Sequence, residues 1–368
     1  MRSKTSVSVG AIVALLSGAA ACSSSHHSLD ASMTDGGRLE GDAASLRDGD
    51  TGPDATTCSG SCPGRRELDL LLVLQDRTAF NDINDPMLPL ATELVALSAD
   101  FDLRVGVITP NLGSGGMDVP DCTIDGDKAI LHSGADGSRF VSVTAGLDAS
   151  ALAEDLRGRF HTRACLFQQP LESALLALTP TDSSLTSVAG TPQENTGNVG
   201  FLRDGALLTV VIVTEENDCS TSDLGLYRRD SLVYASAGLT IRCFGFPEVL
   251  WPVDRYVSGL LSIKSARDLA FFVYAGVPAD LQRASYEQIL DDDRMQEQID
   301  LMAVGPRLKP SCGNGHDYFP PRREIETAMG LDARGVATAQ GSACEPDRAR
   351  ALAHLGQLVH RAAARCCP

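Results

Sequence analysis

The chain has 368 residues with 43% hydrophobic and 21% charged side chains, enough apolar material for one large or two medium folded domains. Its 31 Lys and Arg against 48 Asp and Glu leave a formal net charge of −17, which repels phosphate backbones and excludes nucleic acid as a natural partner. One Trp and 5% aromatic residues argue against stacking platforms for sugars or bases, and only the first twenty-odd residues could meet a bilayer core, so a polytopic membrane protein is excluded.

Arg2 and Lys4 precede an apolar stretch from Val9 to Ala21 that ends in small residues directly before Cys22. This predicts a signal peptide over residues 1–21. The small residues before Cys22 resemble a bacterial lipobox, in which that Cys is lipidated and becomes the mature N-terminus; Ala19 stands where Leu is usual. An ordinary signal peptide cut nearby is the plainer alternative. Ser23 and Ser24 resemble the sorting pattern of outer-membrane lipoproteins, so the expected address is the bacterial cell envelope, with membrane contact through the lipid alone. Residues 22–57 hold seven acids, two Arg and almost no large apolar side chain, and predict a disordered acidic tether.

Of eleven cysteines, ten remain beside Cys22: Cys58, Cys62, Cys122, Cys165, Cys219, Cys243, Cys312, Cys344, Cys366 and Cys367. An even set in an exported chain predicts disulfides of undetermined pairing. Zinc at Cys58–Cys62 or Cys366–Cys367 fits neither the spacing nor the compartment.

In chain order, Leu68–Leu74 is a continuous apolar run, the mark of a strand buried on both faces of a parallel sheet. A helix over Pro86–Ala99 follows, with Asp85 as its cap. Leu103–Thr109 reads as a second buried strand, and Ala129–His132 and Phe140–Thr144 as two short strands within an irregular, Gly/Asp-rich stretch at 110–148. Helices are expected at Ser150–Phe160, Gln169–Leu178, Asp254–Lys264 and Glu345–Ala364, and strands at Leu207–Thr214 and Asp268–Val277. Residues 278–344 read as irregular. Alternation of strand and helix predicts an α/β fold: a doubly wound, mostly parallel sheet with helices on both faces. Ligands of such sheets sit beyond the carboxyl ends of the strands, which directs attention to Gln75-Asp76, Thr109-Pro110, Thr214-Glu215-Glu216 and Val277-Pro278.

Several segments together have a familiar pattern: LRVGVIT at 103–109, CLFQQPLESALLAL at 165–178, GFLRDGALLTVVIVTEENDCS at 200–220, and PRLKPSC at 306–312 with Cys344. They resemble von Willebrand factor A-like lipoproteins of the myxobacterial type, over roughly residues 65–365. The resemblance implies a domain spanning 58–368 and a metal-ion-dependent adhesion site built from a D-x-S-x-S loop, a distant Thr and a second Asp. This chain departs from that site. In register, the loop positions are Gln75, Arg77 and Ala79, and the second Asp is Glu215. A shift by one gives Asp76 and Thr78 but puts Phe80 at the last hydroxyl.

The expectation is therefore a non-enzymatic domain with a degenerate site and no required cofactor, binding a protein partner through loops 75–86, 109–118 and 214–223. Gln75, Asp76, Arg77, Thr78, Glu215 and Glu216 are the candidate contacts, with Arg77 in the vacant cation position facing a partner carboxylate. The alternative is a Ca²⁺- or Mg²⁺-dependent adhesion domain with shifted ligands Asp76, Thr78, Glu215 and Asp218. Asp118, Asp121, Asp125 and Asp127 form a second acidic cluster without EF-hand spacing. No nucleophile elbow, phosphate loop, zinc-protease helix or dinucleotide fingerprint occurs; a hydrolase would need a triad assembled only in three dimensions, around a residue such as His132, His161, His316, His354 or His360.

Overall fold

The computed structural model describes residues 66–75, 85–119, 122, 124–159, 165–180, 198–300, 303, 305–313 and 316–365. At its centre lies strand β1 (Arg66–Leu74), whose alternation divides the interior in two. Leu68, Leu70, Leu72 and Leu74 enter one apolar cluster and Leu71 and Val73 the other, so both faces are buried. β1 pairs in parallel with β2 (Phe101–Ile108) on one side and β4 (Leu207–Val213) on the other. β5 (Leu269–Ala275) and β8 (Ala337–Ser342) extend the sheet in parallel, and β3 (Phe140–Val143) closes the opposite edge antiparallel to β2. The order is β3-β2-β1-β4-β5-β8. A hairpin of β6 (Cys312–Gly313) and β7 (Asp317–Tyr318) stands apart.

Helices α1 (Met87–Leu97), α2 (Ala149–Gly158) and α8 (Arg348–Ala364) cover one face. The other is covered by α3 (Pro170–Leu178), α5 (Asp254–Ile263) and α7 (Arg322–Asp332), with the short α6 (Tyr286–Asp291) packed beside them. Pro86, expected at the first helical position with Asp85 as cap, is itself the N-cap residue of α1, and aspartates cap α2 and α8. Met87 N donates to Asp85 Oδ1 at 2.8 Å, Asp148 caps α2 and Asp347 caps α8. Between β4 and α5 lies a satellite core of Phe167, Tyr227, Tyr234 and Leu250, which also carries the one-turn α4 (Arg242–Gly245).

The expected α/β sheet and its disulfides are present. Cys122 pairs with Cys165, Cys219 with Cys243 and Cys312 with Cys344. Cys22, Cys58, Cys62, Cys366 and Cys367 lie outside the described residues, as do the signal peptide and tether segments. Among the described residues no helix is long and apolar enough to cross a membrane.

Two expectations fail. Ala129–His132 is a turn rather than a strand: Lys128 and Ala129 hold φ of 52° and 55°, incompatible with extended backbone. Its polar groups are met by single bonds instead, Leu131 N to Asn198 Oδ1 at 2.8 Å and His132 N to Val107 O at 2.8 Å. The stretch 278–344 is not irregular, for it supplies α6, α7 and the edge strand β8. β8 (ATAQGS) lacks bulky side chains because α8 crosses it closely. A Cβ on Gly341 would stand 2.7 Å from the Ala351 carbonyl oxygen. Gly341→Ala is expected to destabilise the fold by about 1–3 kcal/mol through overpacking, read as a lower urea midpoint at unchanged slope; an unchanged midpoint would mean that α8 can move aside.

Candidate functional site

The carboxyl ends of β1 and β4 meet in a polar layer beneath the loops. Gln75, 1% exposed, follows β1, and its Oε1 accepts from Thr214 Oγ1 at 2.9 Å and from the Glu215 backbone N–H at 2.5 Å. Both donors bind the same oxygen, and the buried Nε2 of Gln75 has no hydrogen-bond partner among the described residues. Glu215, also buried, places Oε2 2.8 Å from His316 Nε2, while its backbone carbonyl accepts from Phe319 N. That approach is an ion pair when the ring is protonated; it lacks hydrogen-bond alignment. Glu216 is half-buried, with its backbone tied to Thr214 Oγ1 in both directions.

Asp218 lies deepest, with no exposed surface. Its Oδ1 accepts from Leu171 N at 3.1 Å and Ser220 Oγ at 2.6 Å, and its Oδ2 from Arg323 Nε at 3.0 Å and Ser220 N at 3.2 Å. Gln169, at the start of α3, makes no side-chain cap, so Asp218 from the neighbouring strand end takes that role. Arg323 continues to the Trp251 carbonyl at 2.6 Å, and its backbone N–H donates to Asn217 Oδ1 at 3.0 Å. Beside this group Glu172 receives two bonds from Arg255, at 2.8 and 2.9 Å, and Arg255 lies 4.3 Å from the centroid of the Trp251 ring.

Glu324, next to Arg323 on α7, is fully buried. Burial, and secondarily the Asp218 charge, raise its carboxyl well above the usual range; the backbone N–H groups of Glu324 and Asp218, and then Arg323, pull the other way without prevailing. The acid is therefore held protonated against a rising pH.

A pocket of about 230 Å³ opens beside the Glu216 loop. Leu166, Phe167, Phe244, Leu308 and Phe319 form its apolar wall, and Gln168, Glu216, Asn217, Thr240 and Arg307 its polar one. The Cys219–Cys243 disulfide holds the loop that carries one side of it.

Of the residues singled out in the sequence, Gln75, Glu215, Glu216 and Asp218 gather in this layer, whereas Asp76, Arg77, Thr78, Asp121 and His161 lie outside the described residues. Asp127 instead accepts the Thr109 hydroxyl and lies 3.4 Å from His132, pinning the 110–139 excursion to the end of β2. Among the described residues no three His, Cys, Asp or Glu side chains converge as metal ligands. Among the described residues the pocket lining includes neither a His nor a Ser. Sequence reading missed Arg323, Glu324, Phe244, Arg307 and Phe319. No local motif marks them, because each reaches the site through tertiary packing.

Asp218→Ala should lower stability by about 3–5 kcal/mol, since it leaves the Arg323 guanidinium buried without its carboxylate; urea unfolding reads this directly. The sign for Glu324 is the reverse of the usual acidic residue. Its folded carboxyl binds a proton that the unfolded chain has released, so stability falls as pH rises above the ordinary Glu range of about 4.5. Glu324→Gln is expected to flatten that fall above about pH 4.5, and an unchanged slope would show that Glu324 is ionised in the fold. Compared with known proteins, the chain matches no protein-family model, and no curated protein matches it.

Proposed function

We propose that this chain is an exported, lipid-anchored envelope protein whose von Willebrand factor A-like domain binds a protein partner at the carboxyl-end loops, without catalysis and without a resident cation. The resemblance implies a doubly wound sheet, and the mostly parallel order β3-β2-β1-β4-β5-β8 with helices on both faces supports a domain of that kind.

The observation that carries the reading is how the oxygens at the strand ends are used. A divalent cation of the hard type needs several oxygen ligands turned toward one point. Gln75 Oε1 is taken by Thr214 and Glu215, Asp218 by Arg323 and α3, and Glu215 by the approach of His316. Gln75 Nε2 adds a donor where a cation needs an acceptor. The layer thus supplies internally the order that a metal gives in an adhesion site, and leaves shape and loop polarity to recognise a partner.

The purified mature chain should melt at the same temperature in EDTA and in millimolar calcium, magnesium or manganese, since an ion that does not bind the native state adds no stability. A rise of several degrees that follows one cation would instead favour the adhesion reading, with Asp76, Thr78 and Glu215 as ligands.

A further inference from the structure

The pocket beside the loop after β4 combines aromatic walls with a buried acceptor that the fold leaves unused. Phe167, Phe244 and Phe319 line it together with Leu166 and Leu308. Phe167 is held by stacking on the buried Tyr227 ring, 4.1 Å between centroids, and the Cys219–Cys243 disulfide ties two of the lining segments together. The volume of about 230 Å³ lies below the roughly 300–1,000 Å³ of sites that enclose a whole small molecule. It suits one ring system delivered by a larger partner, and aromatic walls favour an aromatic ring.

The polar groups select the ring. Gln168, 1% exposed, lines the pocket. Its Nε2 donates to the Cys165 carbonyl, which fixes the orientation of the amide, and its buried Oε1 has no hydrogen-bond partner. An acceptor buried in this way carries a desolvation cost that a donor brought by a ligand removes. The side-chain donors of the lining are engaged elsewhere: Asn217 Nδ2 with Glu297 at 2.5 Å, the Thr240 hydroxyl with the Pro306 carbonyl, and Arg307 with Asp300 at 3.3 Å and Asp317 at 2.8 Å. A phenol or a carboxamide would bring lone pairs that these engaged donors do not meet, and an aliphatic group would leave Gln168 unmet. An indole has one N–H donor, no acceptor and a flat apolar ring, and so matches both the walls and the oxygen. The Glu216 carboxylate has no part in this selection.

We propose that this pocket seats the indole ring of a tryptophan of the protein partner, packed against the Phe rings with its N–H donating to Gln168 Oε1. The proposal rests on the reading of the carboxyl-end face as a partner-binding face and names the side chain that this face selects.

The test uses the mature chain and three probes at millimolar concentration, followed by saturation-transfer NMR. The probes are N-acetyl-tryptophan amide, its benzothienylalanine isostere, in which sulfur replaces the ring N–H, and N-acetyl-leucine amide. The tryptophan probe should bind about tenfold more tightly than the isostere, the scale of one buried acceptor left unmet, and more tightly than the leucine probe. Gln168→Met should bring the tryptophan probe down to the level of the isostere, and Phe244→Ala should weaken both aromatic probes about tenfold. Circular dichroism and the urea midpoint report that each variant is folded. On the unsubstituted chain, no binding of the tryptophan probe, equal binding of the isostere, or equal or tighter binding of the leucine probe would each overturn the assignment. A preference for the tryptophan probe over the isostere that survives Gln168→Met would overturn it as well. Any of these, with a melting temperature indifferent to cations, would remove the indole pocket and leave the partner-binding reading in place; a melting temperature that rises with one cation would overturn the cation-free reading whatever the probes do.

Discussion

The contact between Asp218 and Arg323 organises the whole carboxyl-end surface. One carboxylate, with no exposure, ends the β4 segment, caps α3 through Leu171 N and receives the guanidinium from α7. Arg323 in turn ties the Trp251 carbonyl, and with it the segment that leads into α5. Three helices on one face are thereby referred to a single strand end. In a low-dielectric layer such a pair is costly unless every lone pair and proton is used. Here both oxygens of Asp218 accept two bonds each, which meets that condition.

Around this anchor the acidic loop after β4 divides into different roles. Glu215 turns inward to His316, Asn217 bonds Glu297 at 2.5 Å and Glu216 reaches the pocket wall. Desolvation raises the carboxyls of both Glu297 and Glu324, that of the fully buried Glu324 the more strongly. Arg307, which lines the pocket with Glu216, pairs with Asp300 at 3.3 Å and Asp317 at 2.8 Å.

Much of the sheet was legible because its strands are buried on both faces. Leu68–Leu74, Leu103–Thr109 and Leu207–Thr214 read as continuous apolar runs and become β1, β2 and β4 with ends shifted by two residues or fewer. β8 escaped detection for the opposite reason. Ala337–Ser342 is small and polar, and its burial comes from α8 crossing above it rather than from its own hydrophobicity. Ala129–His132 looked like a strand by its apolar residues, but two left-handed residues at its start and the side chain of Asn198 take up its polar groups. In the site, Gln75, Glu215, Glu216 and Asp218 could be named in advance from their place after apolar runs, because strand ends in such sheets are where polar groups gather.

The sequence alone determined the alternation of buried strands and amphipathic helices, hence the parallel sheet, since apolar periodicity is a local property of the chain. It also determined which loops flank the strand ends, and that cysteines would staple them. Only the tertiary structure decided which cysteines pair, that Asp218 meets Arg323 across 105 residues, and that three Phe from separate segments line one pocket with Glu216. Those decisions depend on long-range packing and on the burial of charge, neither of which leaves a periodic trace in the chain.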